Sequence, residues 1–447
     1  MTDTQYKKPP KTEALGNEKI SRLVLRYAAT TLIALLLNSV YSLTDSLFVS
    51  WGVGDNAMGG VSIVFPFMLL QGAVSTAVGG GAASLVSRRL GEHKFDEAGE
   101  ITLNAMMTFY VTAIIITGLG FALMNPLLRL LGVTDDIYPY ARQYFIIILA
   151  GNVFSTGFSS IIRAEGKMLY GMLIWVIPIS INIILDAIFI LVLKWGVSGS
   201  AAATVICQFT SFCMCVVFFT RFSSQSFKGA KLKLRRVGEI FAIGVPSLAQ
   251  MASLSVMSVV LNNVVKSAAG TTGINSFAYI SKLIAFSIVP FTALAQALAP
   301  IAGFNFGAGN NERVKKTFSF CAVISLIYAA AVLIIAQTIP QYLIRIFTDN
   351  SEIIALGSTG LKITSVSLLF APFPMLAGAT LQATGRKLWA LIMYSSVFVF
   401  LVPLAFIMVS PLGLNGVWWA YVIANAAAAV LALIKISLKK TLPKQEI

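Results

Sequence analysis

Charge is scarce in this sequence: Asp, Glu, Lys and Arg make up 11% of 447 residues, where a soluble domain carries about 25%. Histidine occurs once, as His93 in a polar connector, and the four cysteines, Cys207, Cys213, Cys215 and Cys321, lie inside apolar runs with no histidine beside them. That distribution excludes a zinc cluster and a disulfide framework. Nor is there a paired-histidine or nucleophile constellation, so neither an enzyme nor a resident cofactor is expected. Acidic residues number eighteen against thirty-three Lys and Arg, a net charge of +15. Nucleic-acid binding needs such cations gathered on one accessible face. Here they are scattered over short connectors, and no nucleic-acid partner is expected.

Apolar residues fill the space that charge leaves. The chain is 57% hydrophobic, with a mean hydropathy of +0.83. A bilayer core takes roughly 20 apolar residues per helical crossing. Runs of that length, bounded by charge or by Gly, Pro and Asn clusters, predict an all-α integral membrane protein with twelve spans near 22–50, 58–87, 101–124, 140–163, 168–193, 199–221, 237–265, 274–304, 316–337, 355–383, 388–409 and 415–436. The polar start of the chain has no apolar signal-peptide core and reads as a retained cytosolic tail.

Every second connector is basic: Arg88, Arg89 and Lys94; Arg163 and Lys167; Lys228 through Arg236; Arg313, Lys315 and Lys316; Arg386 and Lys387. The alternate connectors are acidic or nearly neutral, with Asp55, Asp135, Asp136, Asp349 and Glu352 set against Arg129, Lys194, Lys266 and Arg345. The positive-inside rule then predicts both termini in the cytosol of a multi-pass plasma-membrane protein.

A shift of 216 positions superposes the first half on the second, placing Gly54 on Gly270, Ala77 on Ala293, Gly91 on Gly307 and Arg129 on Arg345. After a small change of register, IIRAEGKMLYG at Ile161 aligns with TLQATGRKLWA at Thr380, and VSGSAAA at Val197 with LNGVWWA at Leu414. The expected organisation is a tail (1–21), a six-helix lobe (22–222), a cytosolic linker (223–236), a second six-helix lobe (237–436) and a tail (437–447). Six spans per copy give parallel repeats related by an axis along the membrane normal. Two such bundles can expose a site between them to each side in turn, which predicts a secondary transporter that works as a monomer.

Two acids, Asp45 in NSVYSLTDSLFVSW and Asp186 in PISINIILDAIFILVL, fall well inside predicted spans. An intramembrane charge costs about 2.5–3.5 kcal/mol on insertion scales, so such residues face a cavity or the bundle interior. Tyr41 stands one turn before Asp45 and Asn182 one turn before Asp186, and Asn38 and Thr204 reach towards the same interior. These groups suit proton loading and also suit sodium, which Asp45, Asp186 and Asn182 would ligate. Asn38, Asn152 and Lys282 are candidates for the substrate cavity, although Lys282 can equally snorkel outward. The second-half counterparts of the two aspartates are Leu261 and about Ala405, so the ion site is expected in the first half alone.

The stretches SLTDSLFVSWGVGDNAMGGVSI, GGGAASLVSRRLGEHKFDEA, IIRAEGKMLYGM, INIILDAIFI and LQATGRK, in this order over nearly the whole chain, resemble motifs of multidrug and toxin extrusion (MATE) transporters of the prokaryotic DinF/MepA-like branch. The resemblance implies two six-helix lobes around a V-shaped cavity. It also implies efflux of drug-like, often cationic, compounds against protons or sodium, with Tyr41, Asp45, Asn182, Asp186 and Thr204 carrying the coupling ion. Alternatives left open are sodium coupling at this first-lobe site and a lipid-linked oligosaccharide flippase of the same superfamily. The flippase would need several cations in its cavity.

Overall fold

The structure, a computed structural model, describes residues 14–437 apart from 54, 131, 132, 134–136, 156, 228, 348 and 349. Residues 1–13 and 438–447, which make up most of the two expected tails, the repeat position Gly54 and the connector acids Asp135, Asp136 and Asp349 lie outside the described residues. What is described is helical. The first half contains α1 (Ala14–Asn17), α2 (Ile20–Val53), α3 (Asp55–Gly91), α4 (Phe95–Ala122), α5 (Met124–Leu130), α6 (Tyr138–Gly151), α7 (Ser159–Ala164), α8 (Met168–Asp186) and α9 (Val197–Arg221). The second contains α10 (Leu234–Gly307), α11 (Asn311–Thr338), α12 (Pro340–Arg345), α13 (Ser351–Ser365), α14 (Pro372–Ala383), α15 (Lys387–Leu412) and α16 (Leu414–Ser437).

Ten helical stretches among the described residues are long and apolar enough to cross a bilayer, up to a mean hydropathy of 2.6 for Asn311–Thr338. Their outer faces leave large aliphatic side chains bare, such as Ile114, Leu119, Ile327, Ile334 and Ile407, as lipid-facing surfaces require. The remaining two expected spans, 58–87 and 237–265, lie on α3 and on the first part of α10, where several side chains are undescribed. The α10 run of 74 residues is much longer than one crossing needs and carries two expected spans. The connector between those spans, near 266–273, is itself helical, and the chain stays helical through Gly270 and Gly273. Several helices also begin before the expected spans. Asp96 and Glu97 occupy the first turn of α4 and Glu312 that of α11, where Asn310 caps Arg313 N–H at 3.0 Å. Acids at N-termini continue a helix past the apolar core, although they read as connector in the sequence.

The repeat is visible element by element. The 216-residue shift carries α4 onto α11 and the start of α5 onto the start of α12. The fourth span breaks at a 3₁₀ turn, Asn152–Phe154, and its counterpart breaks at Val366–Leu369. Backbone positions with positive φ recur in pairs: His93 (59°) with Gly309 (76°), Gly166 (77°) with Gly385 (81°), and Gly196 (63°) with Gly413 (57°). His93 is thus a turn residue in a conformation that its counterpart adopts as glycine.

Two compact units emerge, and their bounds differ from the expected lobes. Of the described residues, one holds Ala14, Leu15 and those from Ala29 to Gly244, and the other holds Gly16–Ala28 and those from Val245 onward. Residues 16–28 belong to the second unit because Arg313 donates to the Glu18 carbonyl and Gly16 rests against the Phe304 ring.

The segment 223–236, expected as a cytosolic linker, is held against the first unit as a strap. Buried Glu165 accepts from Ser223 Oγ (2.8 Å), Ser224 N–H (2.7 Å) and Gln225 Nε2 (2.7 Å). Asn104 donates to the Lys231 carbonyl (2.9 Å) and accepts from Lys233 N–H (2.8 Å). Burial pushes the Glu165 carboxyl up from its usual range, and the three donors and Lys167 only partly oppose this. Glu165→Ala strands three donors and is expected to cost roughly 2–4 kcal/mol. Glu165→Gln, which keeps one acceptor and sheds the buried charge, should cost less. Thermal unfolding of the purified variants checks the order, and an unchanged midpoint for Glu165→Ala would show the strap to be energetically idle.

Candidate ion-coupling site

Asp45 lies half-buried on α2, and Asp186, fully buried, is the last residue of α8. Immediately after Asp186 the helix widens into a π-helical segment, Ala187–Val192. Such segments shift side chains off the regular helical register and recur at functional sites. Small residues let the neighbouring helices close on this point. A Cβ on Gly52 would stand 2.4 Å from Ile190 Cγ2, and one on Gly199 would stand 3.0 Å from Phe189 Cβ. Helix α2 and the start of α9 therefore press directly on the π segment.

This packing brings Asp45 and Asp186 within range of each other's charge. Ser200, on the first turn of α9, donates to Asp45 Oδ1 at 3.0 Å. Thr204, one turn further along α9, and Asn182, one turn before Asp186, are both buried. Tyr41 comes next to Asp45 and Thr204 from α2. Tyr144 of α6, fully buried, adjoins Ser200 and Thr204 and donates to Met68 Sδ at 4.0 Å. The expected five, Tyr41, Asp45, Asn182, Asp186 and Thr204, thus share one locus.

Among the described residues neither aspartate has a cationic partner. Both Asp186 oxygens, both amide atoms of Asn182 and the Thr204 hydroxyl have no hydrogen-bond partner there either. Buried polar atoms are ordinarily paired. Two carboxyl groups with the unpaired neutral oxygens Asn182 Oδ1 and Thr204 Oγ1 beside them form a site suited to one small positive charge.

The other candidates do not join it. Asn152 is buried, but its amide donates to Ala113 O (3.1 Å) and Thr117 Oγ1 (3.0 Å), pinning the 3₁₀ break to α4. These bonds make Asn152 a helix–helix tie. Asn38 is exposed. Lys282 is exposed too, its ammonium 5.9 Å from the centre of the Phe347 ring.

Ser200 and Tyr144 went unseen in the sequence. Ser200 had a signal, since VSGSAAA sets it opposite Val417 in the repeat. Tyr144 had none, because it sits in an ordinary apolar run. The same correspondence explains why the second half has no such site. The counterparts of Asp45, Asn182, Asp186 and Ser200 are Leu261, Leu401, Ala405 and Val417, all fully buried in one hydrophobic cluster. One scaffold position carries a polar locus in the first unit and plain core in the second.

The MatE family model matches this chain twice, over residues 31–188 and 246–407, once in each half. The chain belongs to the MatE family. The double match has the same spacing as the internal repeat. Multidrug export protein MepA of Staphylococcus haemolyticus is 25% identical over 420 residues, 93% of this chain and 92% of the relative. A MATE transporter crystallised in a bent conformation superposes with a TM-score of 0.90 at 26% identity, covering 98% of this chain and 100% of that one. An outward-facing multidrug resistance MATE family transporter of the MOP superfamily gives 0.89 at 25% identity, covering 96% and 99%. This MatE chain is accordingly a multi-pass membrane transporter with two six-helix halves, and not an enzyme.

Proposed function

We propose that the protein is a secondary active exporter of drug-like, often cationic and amphipathic, small molecules, which it exchanges for protons by alternating access. The observation that carries this reading is the pair Asp45, half-buried, and Asp186, fully buried, in an apolar bundle with no cationic partner among the described residues. Two close carboxyl groups in a low-dielectric site are stabilised by one positive charge between them. A proton supplies it with no ligand sphere. Binding of that ion and of a cationic substrate are then mutually antagonistic, each weakening the other by the same factor. The name of the Staphylococcus haemolyticus relative, a multidrug export protein, supports the substrate class.

Sodium is the second reading, favoured by the unpartnered Asn182 Oδ1 and Thr204 Oγ1, which are neutral oxygens of the kind that ligates it beside carboxylates. A flippase for lipid-linked oligosaccharide is less well supported, since the candidate cavity cation Lys282 is exposed. We place the protein in the plasma membrane of a bacterium or archaeon with both termini in the cytoplasm, on the alternation of basic connectors.

The experiment is dye transport from proteoliposomes under separately imposed pH and sodium gradients. Ethidium movement driven by the pH gradient, and indifferent to sodium, is the expected result. Movement driven by sodium alone would transfer the same site to sodium, and movement under neither would overturn coupled export.

A further inference from the structure

The strap has a second feature that ion coupling does not use. Its run Lys231-Leu232-Lys233-Leu234-Arg235-Arg236 alternates cations with leucines. Both leucines are bare, Leu232 at 58% and Leu234 at 90% exposed. Beside them, within the first unit, is a cavity of about 310 Å³ lined by Arg89, Lys233, Arg235 and Arg236. Among the described residues every lining side chain is a cation.

Charge around the cavity does not balance. Glu92 and Glu97 pair with Arg89; Glu97, Glu100 and Glu239 with Arg236; Glu100 with Lys233; and Glu239 with Arg235. Lys94 shares Glu92. Arg88 adds a guanidinium that donates from Nε to the Ser84 carbonyl at 3.2 Å, while its Nη2 has no partner among the described residues. Six cations therefore meet four carboxylates before Lys231 is counted. The pairs of Lys233 and Arg235 are also the easiest to exchange, because those side chains are 50% and 91% exposed and exposed ion pairs hold weakly.

We propose that this cavity binds the phosphate of an anionic phospholipid headgroup, with Leu232 and Leu234 seated among the adjoining acyl chains. The cavity lies where α3 ends and α4 begins, at the boundary of two membrane-crossing helices, which is headgroup depth. Basic pockets at such a depth capture anionic headgroups. Two exposed leucines interleaved with the cations favour a lipid over free phosphate, because only a lipid brings an apolar phase to cover them. Lys233 and Arg235 turn from their glutamates to the phosphate, while the more buried Arg89 and Arg236 form the floor.

The test uses the full chain in nanodiscs of equal phosphatidylglycerol and phosphatidylcholine, with retained lipid counted by native mass spectrometry. Wild type is expected to retain phosphatidylglycerol over phosphatidylcholine, and Lys233→Gln/Arg235→Gln to lower that preference about 10-fold. Leu232→Ser/Leu234→Ser, with every cation in place, should lower it too, and raised salt should weaken it in wild type. Inorganic phosphate should not displace the lipid. Equal retention of the two lipids by wild type, an undiminished preference in the Lys233/Arg235 variant, or full displacement by inorganic phosphate would each overturn the proposal. Should the double charge variant fail to fold, the leucine pair and the salt series decide.

Discussion

Replacing Asp186 with asparagine is expected to lower pH-gradient-driven dye efflux by about 100-fold, the upper range of coupling between two bound ligands. Asparagine keeps the shape of the side chain but carries no charge and no titratable proton. Asp186 is fully buried and has no hydrogen-bond partner among the described residues, so the substitution breaks no structural tie. The variant should unfold at or above the wild-type temperature, because a desolvated carboxyl is relieved. Asp45→Asn should show a comparable loss while retaining its bond from Ser200, whose hydroxyl can donate to the amide oxygen. If the pair acts as one unit, the double variant will be little worse than either single one. Initial rates in proteoliposomes measure all three. Undiminished pH-dependent efflux from both single variants would remove the aspartates from coupling.

The second large effect concerns folding. Helices α3 and α10 meet backbone to backbone within the first unit. A Cβ on Gly244 would stand 2.0 Å from the Ala77 carbonyl oxygen, and one on Gly81 would stand 2.0 Å from that of Ile240. No flexible side chain is available to move aside, so the helix axes themselves must separate. Gly244→Ala is expected to destabilise by about 3 kcal/mol, and Gly244→Val to prevent accumulation of folded protein. Gly238→Ala, on the same helix with nothing within 4 Å of the added carbon, should be neutral or stabilise by up to about 1 kcal/mol. Thermal unfolding in detergent separates the two. A Gly244→Ala midpoint equal to that of Gly238→Ala would mean that this contact is not needed.

Much of this molecule was legible in its residues because a bilayer simplifies folding. Every buried backbone group must be paired inside its own helix, so apolar length alone located the spans, often to within a few residues of the helices, as for α9, α15 and α16. The repeat was legible for a related reason: each copy repeats the same turns, such as Gly166 and Gly385 or Gly196 and Gly413, and these need fixed backbone geometry. The two aspartates stood out because charge inside a span is expensive and rare.

The sequence by itself therefore determined the class, the duplicated halves and the presence of two acids confined to the first half. Only the tertiary structure decided that Asp45 and Asp186 lie within range of each other's charge, that Ser200 and Tyr144 adjoin them, and that Asn152 is a structural tie. It also turned the segment 223–236 from a connector into a strap held by Glu165 and Asn104. These facts depend on contacts between residues 35 to 155 positions apart. Hydrophobic periodicity reports which face of a helix is apolar, but not which polar groups meet when small residues such as Gly52 and Gly199 let neighbouring helices close.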